Sequence, residues 1–340
     1  MASPFSFILI LVIAAALSAG LILALRPLLE RYAVAHPNVR SSHLTPTPQG
    51  GGIAVVAATI VAVLVAAVLG IASDAIIGLW TLFVAVLLLA AVGACDDIVH
   101  LSVVPRFIVQ FLAVGIVLAT LPPDARLVPL LPWWLERAAL LIAGVYAVNV
   151  VNFMDGLDWM MVAEVAPVTG GLWLLSMLAA LAPQDTAVAV ALLGAIIGFA
   201  PFNRPVARMF LGDVGSLPIG LLMFWLLLRL AADGHAVAAL LLPLYYLGDA
   251  TMTLLRRLAR RENVLRAHRT HFYQRATDHG FSVNGVVVRV FVLNLELVAL
   301  AAAAVVAPSC WTQIVALALG MGAVSLLLAR FARGKPTHKS

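Results

Sequence analysis

The sequence predicts an all-α membrane protein, a polytopic bundle of about eleven transmembrane helices, and three observations lead there. First, 63% of the 340 residues are hydrophobic and 11% are charged, against about 25% charged in a typical soluble domain. Second, a mean hydropathy of +1.07 is spread over repeated apolar runs, each near the roughly 20 residues that cross a bilayer as a helix. Third, the runs lack the short alternating segments of a membrane barrel, and a helix satisfies its own backbone hydrogen bonds inside lipid.

The expected spans are 5–25, 52–71, 75–94, 105–121, 134–150, 165–182, 187–202, 214–232, 236–254, 286–306 and 312–330. No basic stretch precedes the first, which is long enough to cross, so it reads as a helix rather than a cleaved leader. With the N-terminus outside and the C-terminus cytoplasmic, 18 of the 21 Lys and Arg residues fall inside; Arg126, Arg137 and Arg229 fall outside. This positive-inside bias sets the orientation. It also explains the pI near 9.7 without nucleic acid. Cys95 and Cys310 are too few for a zinc cluster or a disulfide framework and read as small packing residues. One integral-membrane domain, 1–340, is expected, with cytoplasmic loops near 26–51, 95–104, 149–164, 203–216 and 255–285. Those loops hold nearly every residue capable of chemistry, whereas a transporter would place its charges near the midplane.

The first loop contains His36-Pro-Asn-Val-Arg-Ser-Ser-His43 and then Pro46-Thr-Pro-Gln-Gly-Gly-Gly52. Its glycines let backbone approach a ligand or another helix closely. A plain entry into the next helix explains it equally well. The second loop opens with Asp96 and Asp97 at the inner end of a span. Adjacent carboxylates at a membrane boundary are costly unless a divalent cation or a proton offsets them. A solvated helix end is the simpler reading, but no Lys or Arg is adjacent to do that work.

In the third loop Asn149, Asn152, Asp155 and Asp158 recur every three residues, so a continuing helix would gather them near one face. Amides and carboxylates so placed suit a base, a sugar, or the outer shell of a metal. No cation within that loop balances the two acids. The fourth loop has Asn203 and then Phe210-Leu-Gly-Asp213, where Asp213 starts a helix. Asp213 could cap that helix. With Asp96 and Asp97 it could instead form the sparse carboxylate set that binds magnesium together with substrate phosphate. The fifth loop begins with Arg256, Arg257, Arg260 and Arg261, suited to anionic membrane lipids. His268-Arg-Thr-His-Phe-Tyr-Gln-Arg275 follows, rich in donors that match phosphate oxygens. Two histidines without a third soft ligand argue against zinc.

Taken in order, Pro46-Thr-Pro-Gln-Gly-Gly-Gly52, Asp96-Asp97, Asn152-Phe-Met-Asp-Gly-Leu-Asp158, Phe210-Leu-Gly-Asp-Val-Gly-Ser216 and the His268–Arg275 run resemble the polyprenyl-phosphate N-acetylhexosamine-1-phosphate transferases over nearly the whole chain. This is a bacterial glycosyltransferase family 4 type. The resemblance implies transfer of an aminosugar phosphate from a UDP-sugar to undecaprenyl phosphate with release of UMP, at the cytoplasmic face of the inner membrane. It implies Mg2+, with Mn2+ as the alternative ion, and a homodimer as one assembly. By resemblance Asp213 is the metal ligand, and Asp96 and Asp97 are the catalytic pair, one for the lipid phosphate and one for the metal. Asn149, Asn152, Asp155, Asp158, Asn203 and Phe210 would bind the nucleotide side of the substrate, and His268, Arg269 and His271 the diphosphate or sugar.

The His-Arg-Thr-His form looks more like the branch that starts O-antigen and related surface glycans than the phospho-MurNAc-pentapeptide transferases of peptidoglycan synthesis. The Arg40-Ser-Ser-His43 and Tyr-Gln features further resemble enzymes taking UDP-linked 6-deoxy aminosugars. Three positions depart from the family pattern: Trp159 stands where Gly is usual, Gln49 where Arg is usual, and Ile98-Val99-His100 where a basic residue follows the acidic pair. A lipid transporter and a catalytically silent homologue are the competing classes.

Overall fold

A computed structural model describes residues 4–35, 46–71, 76–99, 101–122, 125–178, 180–263 and 268–333. The motif at 36–43 and His100 lie outside them. The described chain is almost wholly helical: α1 (Pro4–Tyr32), α2 (Gly51–Val68), α3 (Ile76–Val99), α4 (Val103–Ala119), α5 (Trp133–Met154), α6 (Met160–Ser176), α7 (Pro183–Phe199), α8 (Asp213–Ala232), α9 (Ala236–Leu241), α10 (Leu244–Ala259), α11 (Phe272–Asp278), α12 (Val283–Val306) and α13 (Cys310–Arg333). One exception qualifies the all-α expectation. Two-residue strands β1 (Val34–Ala35) and β2 (Thr47–Pro48) pair antiparallel beside the end of α1.

Seven of these helices, α1, α2, α3, α5, α8, α12 and α13, are long and apolar enough to cross a membrane, while α4, α6 and α7 are shorter apolar helices. The stretch expected as a single span at 236–254 is broken into α9 and α10 at Leu242 and Pro243. Proline has no N–H for the helical ladder and its ring clashes with the preceding turn, so the helix restarts there. The polar, seven-residue α11 is absent from the expected elements.

Buried α8 forms the centre and packs against α2, α3, α5 and α9. Contact with α2 is closest at Gly52 and Gly215, where a methyl group on Gly52 would overlap the Gly215 Cα. Small residues of this kind let membrane helices meet backbone to backbone. Around the rim, Leu9, Val12, Trp80, Val84, Leu87, Ile108, Leu295 and Leu319 are exposed, as a lipid-facing surface requires.

Polar groups are more frequent inside the bundle than the apolar runs suggest. Asn294 on α12 donates to Glu164 Oε2 on α6 at 2.7 Å, and Arg229 on α8 donates to Asp185 on α7 at 3.0 Å, both acids being buried. Each pair joins two helices, because a buried charge or amide in lipid must find its partner within the protein.

Candidate active site

The described parts of the links between α1 and α2, α3 and α4, α5 and α6, and α7 and α8 meet at one end of the bundle. Gly51 and Gly52 donate to the Phe210 and Leu211 carbonyls at 2.9 Å each, and Phe210 N–H donates back to the Pro48 carbonyl at 2.8 Å. The glycine-rich segment therefore packs backbone on backbone against the entry to α8.

Five carboxylates gather at this end. Asp97 accepts hydrogen bonds from the Asp213 and Val214 N–H groups, at 2.9 and 3.1 Å, and from the Gln49 amide. It thus closes the N-terminus of α8 from the neighbouring helix, where N–H groups without partners and the helix dipole favour an anion. Gly212, at φ +77°, makes room for it, since a methyl group there would press on Asp97 Oδ2. Asp213 does not cap its own helix through its side chain. Its Oδ1 accepts from Asn152 Nδ2 at 2.8 Å, and its Oδ2 lies 3.3 Å from Arg106 Nη2. Arg106 also reaches Asp96 Oδ2 with Nη1 at 2.7 Å, and Asp96 Oδ1 accepts from Leu101 N–H at 2.7 Å.

Sequence reasoning passed over Arg106. It looked for a cation adjacent to Asp96, whereas the turn between α3 and α4 brings one from ten residues on. Asp155 is the contrasting case. Among the described residues its carboxylate accepts no hydrogen bond, and it faces the charges of Asp213, Asp97 and Asp158. Burial first, then those three charges in that order, push its pKa well above the usual carboxylate range. Among the described residues Arg106 is the one guanidinium paired with this cluster of five acids, and the donors of the cluster are hard oxygens. That set fits a divalent cation of the magnesium kind. Among the described residues no three His, Cys, Asp or Glu side chains form a metal cage on their own, which fits a site where water and phosphate supply the other ligands.

Other expected residues divide differently. The helix carrying Asn149 ends at Met154, so the three-residue spacing does not continue to Asp155 and Asp158. Asn149 is buried and donates to Gln110 on α4 at 2.6 Å and to the Val145 carbonyl at 2.7 Å. It ties two helices together and stands apart from the acids. Asp158 Oδ2 accepts from Ala207 N–H at 2.9 Å, and Asn203 spans the Trp159 N–H and the Met209 carbonyl at 2.8 and 3.0 Å. Asp158 and Asn203 thus brace two loops against each other, while Asn152 and Asp155 border the acids.

Trp159 follows Asp158 in the left-handed region, at φ +63°, and its indole N–H donates to the Ala200 carbonyl at 2.7 Å. Glycine adopts that conformation without strain, which gives the family's usual residue a physical reason. Gln49, replacing the usual Arg, keeps a hydrogen bond to Asp97 and loses the charge.

The histidine segment is organised by a residue absent from the sequence-based set. Asp249, fully buried on α10, accepts from the Phe272 and Tyr273 N–H groups at 2.9 and 3.0 Å, and its Oδ1 lies 3.3 Å from His271 Nδ1. It closes the start of α11 as Asp97 closes α8. The buried His271 has no partner for Nε2 among the described residues. His268 stacks on it at 4.9 Å between ring centroids. Burial, then the nearby His271 and Arg257, push the His268 pKa down to about 4. Tyr273 donates to the Phe153 carbonyl at 3.0 Å, docking α11 beside the acid cluster. Arg269 turns instead to Asp278, at 3.2 Å.

Comparison with known proteins gives the following similarities. Residues 79–231 match the model of glycosyl transferase family 4. The chain is 28% identical over 210 residues to the decaprenyl-phosphate N-acetylglucosaminephosphotransferase of Mycobacterium leprae, covering 56% of this chain and 52% of that protein. It is 26% identical over 292 residues to the probable undecaprenyl-phosphate N-acetylglucosaminyl 1-phosphate transferase of Bacillus subtilis, covering 80% and 78%. A shorter match, 41% over 73 residues, is to the phospho-N-acetylmuramoyl-pentapeptide-transferase of Symbiobacterium thermophilum and covers 21% of this chain and 22% of that protein. The chain spans about half the length of the mycobacterial relative. Over residues 79–231 the chain is thus similar to glycosyl transferase family 4, and the relatives it matches over more than half of its length carry the names of polyprenyl-phosphate N-acetylglucosamine phosphotransferases.

Proposed function

We propose that this protein transfers an N-acetylaminosugar-1-phosphate from a UDP-sugar to undecaprenyl phosphate, releasing UMP and starting a lipid-linked surface glycan. The observation that carries the reading is the junction of Asp213, Asn152, Arg106 and Asp96 at one end of an apolar bundle. There a membrane-held phosphate and a soluble diphosphate can meet. In the reaction an oxygen of the lipid phosphate bonds to the sugar-bearing phosphorus, the bond from that phosphorus to the UMP oxygen breaks, and UMP leaves with the electron pair. The obstacle is the approach of two anions, because the attacking phosphate is already largely ionised at neutral pH. Electrostatic stabilisation is therefore the main requirement.

Asp213 Oδ2 and Asp155 would hold the divalent cation, which when bound supplies charge neutralisation at the diphosphate. Arg106 supplies the planar donor fork that matches phosphate oxygens. Asp97 serves by position, since both of its oxygens hold the start of α8 and so fix Asp213. Asn152 fixes the other oxygen of Asp213. His271 and His268 border the sugar side, with His268 neutral at pH 7 and suited to hydrogen bonding more than to charge. The orientation, with this end cytoplasmic in a bacterial inner membrane, and the preference for a 6-deoxy aminosugar are parts of the same proposal. Supporting the orientation are the 18 inside basic residues. Supporting the sugar are the Tyr273-Gln274 and Arg40–His43 features.

The test is UMP release from purified protein with undecaprenyl phosphate, Mg2+ and a panel of UDP-aminosugars. Release with one donor, reduced at least about 100-fold in Asp213→Asn, is the expected result. No release with any donor from folded protein would sink the reading.

A further inference from the structure

We infer that Arg106 competes with the divalent cation for Asp213 Oδ2 and Asp96 Oδ2, and that it must yield Asp213 for the cation to bind. This rests on the reading of the site as cation-assisted. Asp213 Oδ1 is engaged by Asn152, and Arg106 holds Oδ2. Asp96 Oδ1 is engaged by Leu101 N–H, and Arg106 holds its Oδ2 as well. Asp97 has both oxygens on α8 N–H groups. Of the three acids at the end of α3 and the start of α8, Asp96, Asp97 and Asp213, the oxygens that could turn to a metal are therefore, among the described residues, those under one guanidinium. Two positive groups cannot share that position without repelling each other.

The two arms of the bridge are unequal, 2.7 Å to Asp96 and 3.3 Å to Asp213. The longer arm is the weaker one, so the cation displaces Arg106 from Asp213 while Asp96 retains it as a pivot. Arg106 sits in the first turn of α4, and its side chain is 24% exposed, which leaves it room to turn. Donors freed from Asp213 then face outward, where a phosphate can take them. Cation binding and phosphate binding thereby strengthen each other, and by linkage each must do so equally. An Arg is better suited to this exchange than a Lys, because its fork can hold one carboxylate while releasing another.

The probe is Mn2+ alone, titrated into the full-length protein in detergent, with free Mn2+ followed by electron paramagnetic resonance. Arg106→Gln should bind Mn2+ on the order of tenfold more tightly than the unaltered protein, Arg106→Lys should fall between them, and Asp213→Asn should lose the site. Equal or weaker binding in Arg106→Gln, with binding still lost in Asp213→Asn, overturns the competition and leaves the transferase reading intact. Binding by neither the unaltered protein nor Arg106→Gln overturns it as well. Tighter binding in Arg106→Gln, together with no UMP release from the unaltered protein, upholds the competition and rejects the transfer. Should Arg106→Gln not elute as folded protein, the ordering of Arg106→Lys against the unaltered chain decides.

Discussion

Trp159 sets two single-residue effects against each other. An L-residue in the left-handed region is strained by about 1–2 kcal/mol, and glycine would remove that strain. The indole, however, fills part of the loop interface and donates to Ala200. Truncating a buried Trp costs about 3–5 kcal/mol, and roughly half of that applies to a half-buried one. The packing loss wins narrowly, so Trp159→Gly should melt a few degrees lower by circular dichroism in detergent; a higher midpoint would show that strain dominates. His268 gives a pH-dependent effect whose sign is fixed by its environment. Its pKa is pushed from the ordinary 6.5 down to about 4, so the folded protein resists taking up this proton. The contribution of His268 to stability is complete above pH 6.5 and is lost as pH falls toward 4. His268→Gln should therefore show a flatter fall in melting temperature from pH 6.5 to 4 than the unaltered protein, and identical slopes would refute the assignment. Residues of this kind were unequally legible. Asp96, Asp97 and Asp213 stand out as acids at the ends of apolar runs. Arg106 does not, because its partners come from two other helices.

Among the elements, the same device appears twice: a carboxylate borrowed from another helix closes a helix start. Asp97 of α3 does this for α8, and Asp249 of α10 does it for α11. The borrowed cap fixes position as well as stability, because it locks the axis of one helix to the flank of another. Asp249→Asn keeps the shape but offers one acceptor where two are needed, and turns an amide N–H toward backbone N–H groups. The expected cost is about 2–4 kcal/mol. Hydrogen exchange at the Phe272 and Tyr273 amides should speed up markedly, while exchange in α8 stays as it was. Unchanged protection at those two amides would mean that α11 does not depend on Asp249. A lone carboxylate in the apolar stretch 236–254 was a readable signal, since membrane interiors keep such a group for a purpose. The break at Pro243 was readable too. The Asn149 series misled for the opposite reason: a three-residue spacing means one face only while the helix lasts, and this one stops at Met154.

For the molecule as a whole, hydropathy was enough to predict a helical bundle, because lipid leaves a chain few other ways to satisfy its backbone. It was not enough to place every boundary, since α6 and α7 are buried by neighbours and need not each span lipid fully. What the chain connectivity does determine is that the acid cluster, α11 and the C-terminal end of α13 share one end, with His279 Nδ1 lying 2.8 Å from the Phe331 carbonyl. The loop between α8 and α9 belongs to the other. Orientation then becomes a single binary question for the whole bundle, and the proposed orientation, which rests on the excess of Lys and Arg at the acid end, puts that end in the cytoplasm. In a background with Cys95 and Cys310 replaced by Ser, Arg204→Cys and Asp233→Cys put one exposed thiol at each end. A membrane-impermeant maleimide added to sealed spheroplasts should label Asp233→Cys and spare Arg204→Cys until the membrane is opened. The reverse pattern would place the acids outside, away from any cytoplasmic nucleotide sugar, and would remove the transferase reading along with the orientation.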